Sequence, residues 1–142
     1  MTSNERAAGA EGAAPRGVVA GHGEFAAGMI SAVQQISGRG EVFRGVTNAG
    51  LDPVALLAAL DAAVQSHRAR VVFTDLPAGS CTIAARRCAH ARPGLAVVTG
   101  ANLPMLLEYA LAGTGTLALE RAAERGRGAI VVAPGVGVDG AS

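Results

Sequence analysis

Two hydrophobic rhythms alternate along the chain. The apolar runs at 17–21, 71–74, 95–99 and 129–133 have the length of strands. They lack the in-and-out alternation of a sheet wetted on one side, so they predict strands buried on both faces. A fifth, more mixed segment, 41–46, reads as a further short strand. Between the strands, apolar residues recur at helical spacing: positions 25, 26, 29, 30, 33 and 36 predict a helix from about Glu24 to Ile36. Asp52 followed by Pro53 has the form of a helix start, aspartate as cap and proline in the first turn, and that helix is expected to run to about Ser66. Ser80 is placed to cap a helix over 81–91. Asn102 or Leu103 is placed to cap another that carries Pro104 in its first turn. Gly113 and Gly115 break this helix, and 116–125 predicts a second one. Met29, Leu56, Leu57 and Leu60 fall on core-facing positions.

Strand and helix thus alternate four times with short loops. That order predicts an α/β fold, a doubly wound and mostly parallel sheet with helices on both faces. For a sheet this small the expected strand order is 2-1-3-4. Residues 17–133 form the expected domain, and 1–16 and 134–142, rich in Ala, Gly and charge without a sustained period, are read as flexible tails. One domain also suits the length, 142 residues, against a usual size of roughly 100–200 residues.

Composition narrows the possible functions. Residues are 50% hydrophobic but only 3% aromatic, so the core must pack through Ala, Val, Leu and Ile. Net charge is +1 and the arginines are scattered among acids, which gives no electrostatic footprint for nucleic acid. No apolar stretch reaches the roughly 18 residues of a membrane span, and no signal-peptide pattern opens the chain. A cytoplasmic protein is expected.

The first strand ends in Gly21-His22-Gly23, a histidine held between two residues that let the backbone turn and a ligand approach. Ligands of doubly wound sheets bind beyond the carboxyl ends of the strands, where the order reverses. With order 2-1-3-4 that point lies between strands one and three, whose ends carry His22 and Asp75. A carboxylate accepting a hydrogen bond from one ring nitrogen fixes the tautomer and makes the other nitrogen a better nucleophile. Backbone donors at Gly23 and Gly79, with the Ser80 hydroxyl, would form an anion site at two helix N-termini. An ordinary cap remains an equal reading for Ser80.

Other chemistries lack their residues. There is no phosphate-binding loop ending in Lys-Ser/Thr, indeed no lysine at all, and no Gly-x-Gly-x-x-Gly after the first strand. The serine elbow of hydrolases is missing. Cys81, Cys88 and His90 match no usual zinc spacing, so they read as buried thiols and a surface ring. His67 and His90 lie at helix ends beside arginines and are assigned no chemistry. No metal or cofactor is expected.

Three segments, Gly21-His22-Gly23, Asp75-Leu76-Pro77-Ala78-Gly79-Ser80 and Gly100-Ala101-Asn102-Leu103-Pro104-Met105-Leu106, resemble in order the motifs of mannose-type IIA domains of the bacterial sugar phosphotransferase system. The resemblance runs from about Gly17 to Ala133. It departs from the family at Ala78, where glycine is usual, and at Cys81, where proline is. It implies that Nε2 of His22 accepts a phosphoryl group from the carrier protein HPr and passes it to a IIB component, with Asp75 orienting Nδ1. Asn102, Pro104 and Met105 read either as a helix start and a packing side chain or, from their position beside the fourth strand, as residues that border the crevice or a partner surface. By the same resemblance the protein forms a homodimer in which 129–133 joins the partner's sheet as an exchanged antiparallel strand, a use that also fits the hazard of an unpaired apolar edge. The alternatives are a regulatory module of the same fold, controlled by His22 phosphorylation without serving a transporter, and a flavodoxin-like domain that binds a small ligand and transfers nothing.

Overall fold

Val18, Val19 and Ala20 have no exposed surface, as a strand covered on both sides requires, and their run forms β1 (Gly17–Gly21). In the computed structural model, which describes residues 15–112 and 114–137, β1 is followed by α1 (Phe25–Ser37), a 3₁₀ turn (Gly40–Val42) and β2 (Phe43–Thr47). Then come α2 (Pro53–His67), β3 (Val71–Thr74), α3 (Ser80–Ala91), β4 (Ala96–Val98), α4 (Leu103–Ala112) and α5 (Ala118–Gly128). The four strands pair in parallel in the expected order, β2-β1-β3-β4.

Successive strand residues feed opposite faces of the sheet. Val19, Phe43, Val71 and Phe73 pack with α1, α4 and α5 through Ala26, Val33, Met105, Leu106 and Ala122. Their neighbours Val18, Ala20, Val46 and Val72 pack with α2 and α3 through Leu56, Leu60, Ala84 and Ala85. Both faces are therefore apolar, which is why the runs showed no alternation. Three of the four aromatic residues, Phe43, Phe73 and Tyr109, meet in the first of these cores with ring centroids 5.3 to 6.0 Å apart.

Local chemistry fixes most element ends. Asp52 Oδ1 accepts the Ala55 N–H at 2.8 Å and Pro53 opens α2, as expected. β2 starts at Phe43 rather than 41 because Gln34 Oε1 accepts the Gly40 N–H at 2.9 Å and the next residues wind into the 3₁₀ turn. Ser80 is the first residue of α3 and not its cap; Gly79 occupies that position, with φ +115°.

The expected fifth strand is one exchanged with a partner, and a single chain does not test it. Among the described residues 129–133 joins no strand ladder, and Ile130, Val131 and Val132 are 75%, 80% and 88% exposed. A strand exists only against a neighbour, and this segment has none among the described residues. Of the expected tails, 1–14 and 138–142 lie outside the described residues. Arg16 is tied to the sheet: its carbonyl accepts the Arg70 N–H and the Tyr109 hydroxyl, both at 3.1 Å. Among the described residues no helix is long and apolar enough to cross a membrane.

Candidate active site

Gly21 is level with Thr47 of β2, and Ala20 with Thr74 of β3. The residues that follow β1 and β3 therefore leave the sheet side by side at the point where the strand order reverses. His22 and Asp75 are those residues. Asp75 Oδ2 accepts the backbone N–H of His22 at 2.9 Å and lies 2.8 Å from its Nδ1. The carboxylate is 12% exposed and the imidazole 49%, so the acid is fenced in while the ring faces solvent.

Only a glycine at 21 permits this approach. A Cβ there would stand 2.6 Å from Phe25 Cδ2 and 3.0 Å from Asp75 Oδ2.

Burial alone would raise the pKa of Asp75, but the two hydrogen bonds from His22, the charge of its ring and the aspartate's own backbone N–H outweigh it. The net effect holds the carboxyl below its ordinary value. An ionised carboxylate only accepts, so the proton between it and the imidazole belongs to Nδ1. In the neutral ring the lone pair then resides on Nε2, which makes no hydrogen bond among the described residues.

The loop after β3 completes one wall. Gly79 lies against the ring: a Cβ at its position would be 3.7 Å from His22 Cε1, the carbon between the two nitrogens, and 4.0 Å from Leu76 Cδ1. Its positive φ is strained for any other residue. Ser80 Oγ accepts from Asn48 Nδ2 at 3.3 Å, which links the loop after β2 to the start of α3. Gly23 lies outside α1, since the helix begins at Phe25, whose N–H is taken by the His22 carbonyl at 3.1 Å. The Gly23 carbonyl accepts the Thr47 hydroxyl at 2.8 Å.

Asn102, Pro104 and Met105 gather elsewhere. Asn102 Oδ1 accepts the Met105 N–H at 3.2 Å and caps α4, while its Nδ2 donates to the Gly126 carbonyl at 2.9 Å. Met105 is buried against Gly126, and Pro104 sits in the first turn of α4. This cluster ties α4 to the end of α5 and borders a cleft of about 320 Å³ beside β4, with Val98, Gly100 and Ile130 also on its walls. No hydrogen bond among the described residues joins it to His22.

Thr47 and Asn48 were not singled out from the sequence. Their signal was position: they end β2, the strand adjacent to β1. Cys81 is 1% exposed. Burial first, and then the negative charge of Asp75, push its thiol up against a smaller opposing effect of Ser80, so it is a packed thiol rather than a reactive thiolate. Among the described residues no cluster of His, Cys, Asp and Glu could hold a metal ion.

Comparison with known proteins bears on the fold that carries this geometry. The family model described as EIIA-man, PTS system fructose IIA component, matches residues 17–125. Among solved structures, the phosphotransferase system component EIIA from Streptococcus agalactiae superposes with TM-score 0.74 at 23% identity, over 82% of this chain and 95% of that one. The mannose/sorbose specific IIA subunit from Enterococcus faecalis gives 0.73 at 22%, over 84% and 95%. The IIA protein associated with the fucose utilization operon of Streptococcus pneumoniae gives 0.74 at 22%, over 83% and 92%. No curated protein matches the sequence. At these identities the solved structures establish a shared fold, and the family model covers most of the chain: the protein belongs to the EIIA-man family of phosphotransferase-system IIA components.

Proposed function

We propose that His22 is the phosphoryl-carrying residue of a sugar phosphotransferase relay, loaded by the phosphohistidine of HPr and unloaded by a IIB component. The observation that carries this reading is the division of labour on one imidazole. Nδ1 is engaged by Asp75 at 2.8 Å, and Nε2 is left with a lone pair on an exposed ring. In the forward step the Nε2 lone pair attacks phosphorus, the N–P bond to the donor histidine breaks, and its electron pair returns to the donor ring. The positive charge that grows on the His22 ring is stabilised through Nδ1–H by the Asp75 carboxylate. Transfer to IIB is the same exchange with His22 as donor. Positioning and charge stabilisation suffice for such a reaction, and neither a metal nor a cofactor enters the scheme.

Gly23, Gly79 and Ser80 are the proposed cradle for the phosphoryl oxygens. A Cβ at Gly79 would come within 3.7 Å of His22 Cε1, the carbon next to Nε2, and the Ser80 hydroxyl lies at the start of a helix where N–H groups are unpaired. The described geometry favours a scaffold role for Asn102, Pro104 and Met105, with the partner surface as the second use of the same cleft.

The active form is proposed to be a cytoplasmic homodimer. Among the described residues β4 pairs only with β3, so its outer edge is open, and an exposed apolar segment, Ile130 to Val132, follows the end of α5 without joining a strand ladder. Exchange of this segment onto the partner's β4 would remove both liabilities at once.

The deciding experiment is phosphorylation by phosphoenolpyruvate with purified enzyme I and HPr, read by intact mass. An acid-labile phosphoryl adduct on the wild type that is absent from His22→Ala is the expected result. A wild type that takes no phosphoryl group from cognate carriers would sink the relay and leave a binding domain.

A further inference from the structure

Residues 75–79 form the loop that brings Asp75 to one side of the His22 ring and Gly79 to another. Nothing in the backbone ladders holds its middle. The Leu76 carbonyl is instead met by two side-chain hydroxyls from either end of the loop: Thr82 Oγ1 of α3 at 2.6 Å and Thr74 Oγ1 of β3 at 3.3 Å. The two hydroxyls also touch each other, Oγ1 to Oγ1, at 2.7 Å. Both threonines are inaccessible, 2% and 0% exposed, in a part of the molecule otherwise packed with Val, Ala and Cys.

The protons in this chain have one arrangement. Oxygens 2.6 and 2.7 Å apart need a hydrogen between them, and each hydroxyl has one to give. The carbonyl can only accept. Thr82 therefore donates to the Leu76 carbonyl, and Thr74 donates to Thr82 Oγ1. The last residue of β3 is thereby connected through the first turn of α3 to the loop that links them. Polar atoms in a dry interior are expensive unless satisfied, so this chain has a single low-energy geometry and transmits it to the loop.

We propose that Thr82, supported by Thr74, is a positioning residue for phosphoryl transfer: the hydroxyl pair sets the loop so that Asp75 reaches Nδ1 and Gly79 stays beside the ring. Neither threonine touches the ring. Their effect passes through Asp75, and its signature is the tautomer of His22 rather than stability alone. The proposal rests on the relay reading for its catalytic meaning, while the tautomer itself is measurable without any phosphoryl group.

The test is ¹⁵N NMR of the His22 ring in the unphosphorylated protein, compared among wild type, Thr82→Val and Thr82→Ser, with phosphorylation rate from phospho-HPr measured in parallel. Wild type should show a protonated Nδ1 and an unprotonated Nε2. Thr82→Val should move the ring toward a mixture of tautomers and slow phosphorylation about fivefold, the scale of one neutral hydrogen bond, and Thr82→Ser should restore both. A folded Thr82→Val with the wild-type ring pattern would overturn the proposal. Should Thr82→Val not fold, Thr74→Val, which removes the donor to Thr82 Oγ1 and the longer contact with the Leu76 carbonyl but leaves the Thr82 bond to that carbonyl, carries the same expectation; loss of fold in both would also overturn it, making the pair a folding element. Absence of phosphorylation in wild type would refute the relay and leave the tautomer comparison intact.

Discussion

One oxygen of Asp75 serves two donors of His22: Oδ2 is 2.9 Å from the backbone N–H and 2.8 Å from Nδ1. The first contact locates the residue and the second orients its ring, so a single carboxylate sets both position and tautomer. Asp75→Asn keeps the shape and removes the charge. A hydrogen bond to a charged group contributes about 1.5–3 kcal/mol, which corresponds to a roughly 10- to 150-fold fall in rate. Quenched-flow phosphorylation by phospho-HPr should show a loss in this range; an unchanged rate would mean that the ring needs no carboxylate.

The same pairing makes stability depend on acid. Burial raises the carboxyl of Asp75, but the His22 contacts outweigh it and the folded value lies below the unfolded one. A group depressed on folding contributes stability that is fully present above its unfolded value, about 3.9, and that is lost as pH falls through the lower folded value. Asp61 shifts in the same direction, first through its hydrogen bond to Arg92, but its side chain is half exposed and screening weakens its share. Urea titrations from pH 7 to pH 3 should therefore show Asp75→Asn less stable than wild type near neutrality, with the gap closing below about pH 4. A gap of constant size would assign the effect to packing.

Gly21 tests how tightly the two strand ends must approach. An added methyl meets the Phe25 ring at 2.6 Å and Asp75 Oδ2 at 3.0 Å, and both lie in the site itself. Gly21→Ala is expected to lose about 1–3 kcal/mol of stability, as overpacking does, together with most phosphorylation activity. Chemical denaturation and the phosphorylation assay measure the two separately. Full activity in a destabilised variant would show that the strand ends can part without harm to the site.

What the sequence revealed and what it hid follow from range. β1 to β4, the helices and the His22–Asp75 pair were legible because apolar runs, caps and breakers are local, and because the reversal of strand order converts two local positions into one crevice. Asn102 was legible as a residue of interest but not by role: its bond to the Gly126 carbonyl spans 24 residues and depends on how α5 packs on α4. Thr74 and Thr82 were hidden for the same reason, since a hydroxyl buried in a strand has no periodic signature until its partner is placed. The segment 129–133 has the composition of a strand and no strand partner among the described residues, so composition alone does not decide its state.

That segment leads to the last prediction. Along an extended strand alternate side chains share a face, so Ile130 and Val132 would point together, and Ile130 already borders the cleft beside β4. The three residues 130–132 are at least 75% exposed in the single chain, an arrangement that invites pairing between copies. Sedimentation at tens of micromolar, on the order of ordinary assay concentrations where a stable dimer persists, should give twice the chain mass for wild type. Ile130→Asp/Val132→Asp places two charges on the buried face and should give the mass of one chain, with β1 to β4 still folded by circular dichroism. A wild type that sediments as a monomer would refute the exchanged strand, and a double variant that stays dimeric would move the interface to another surface.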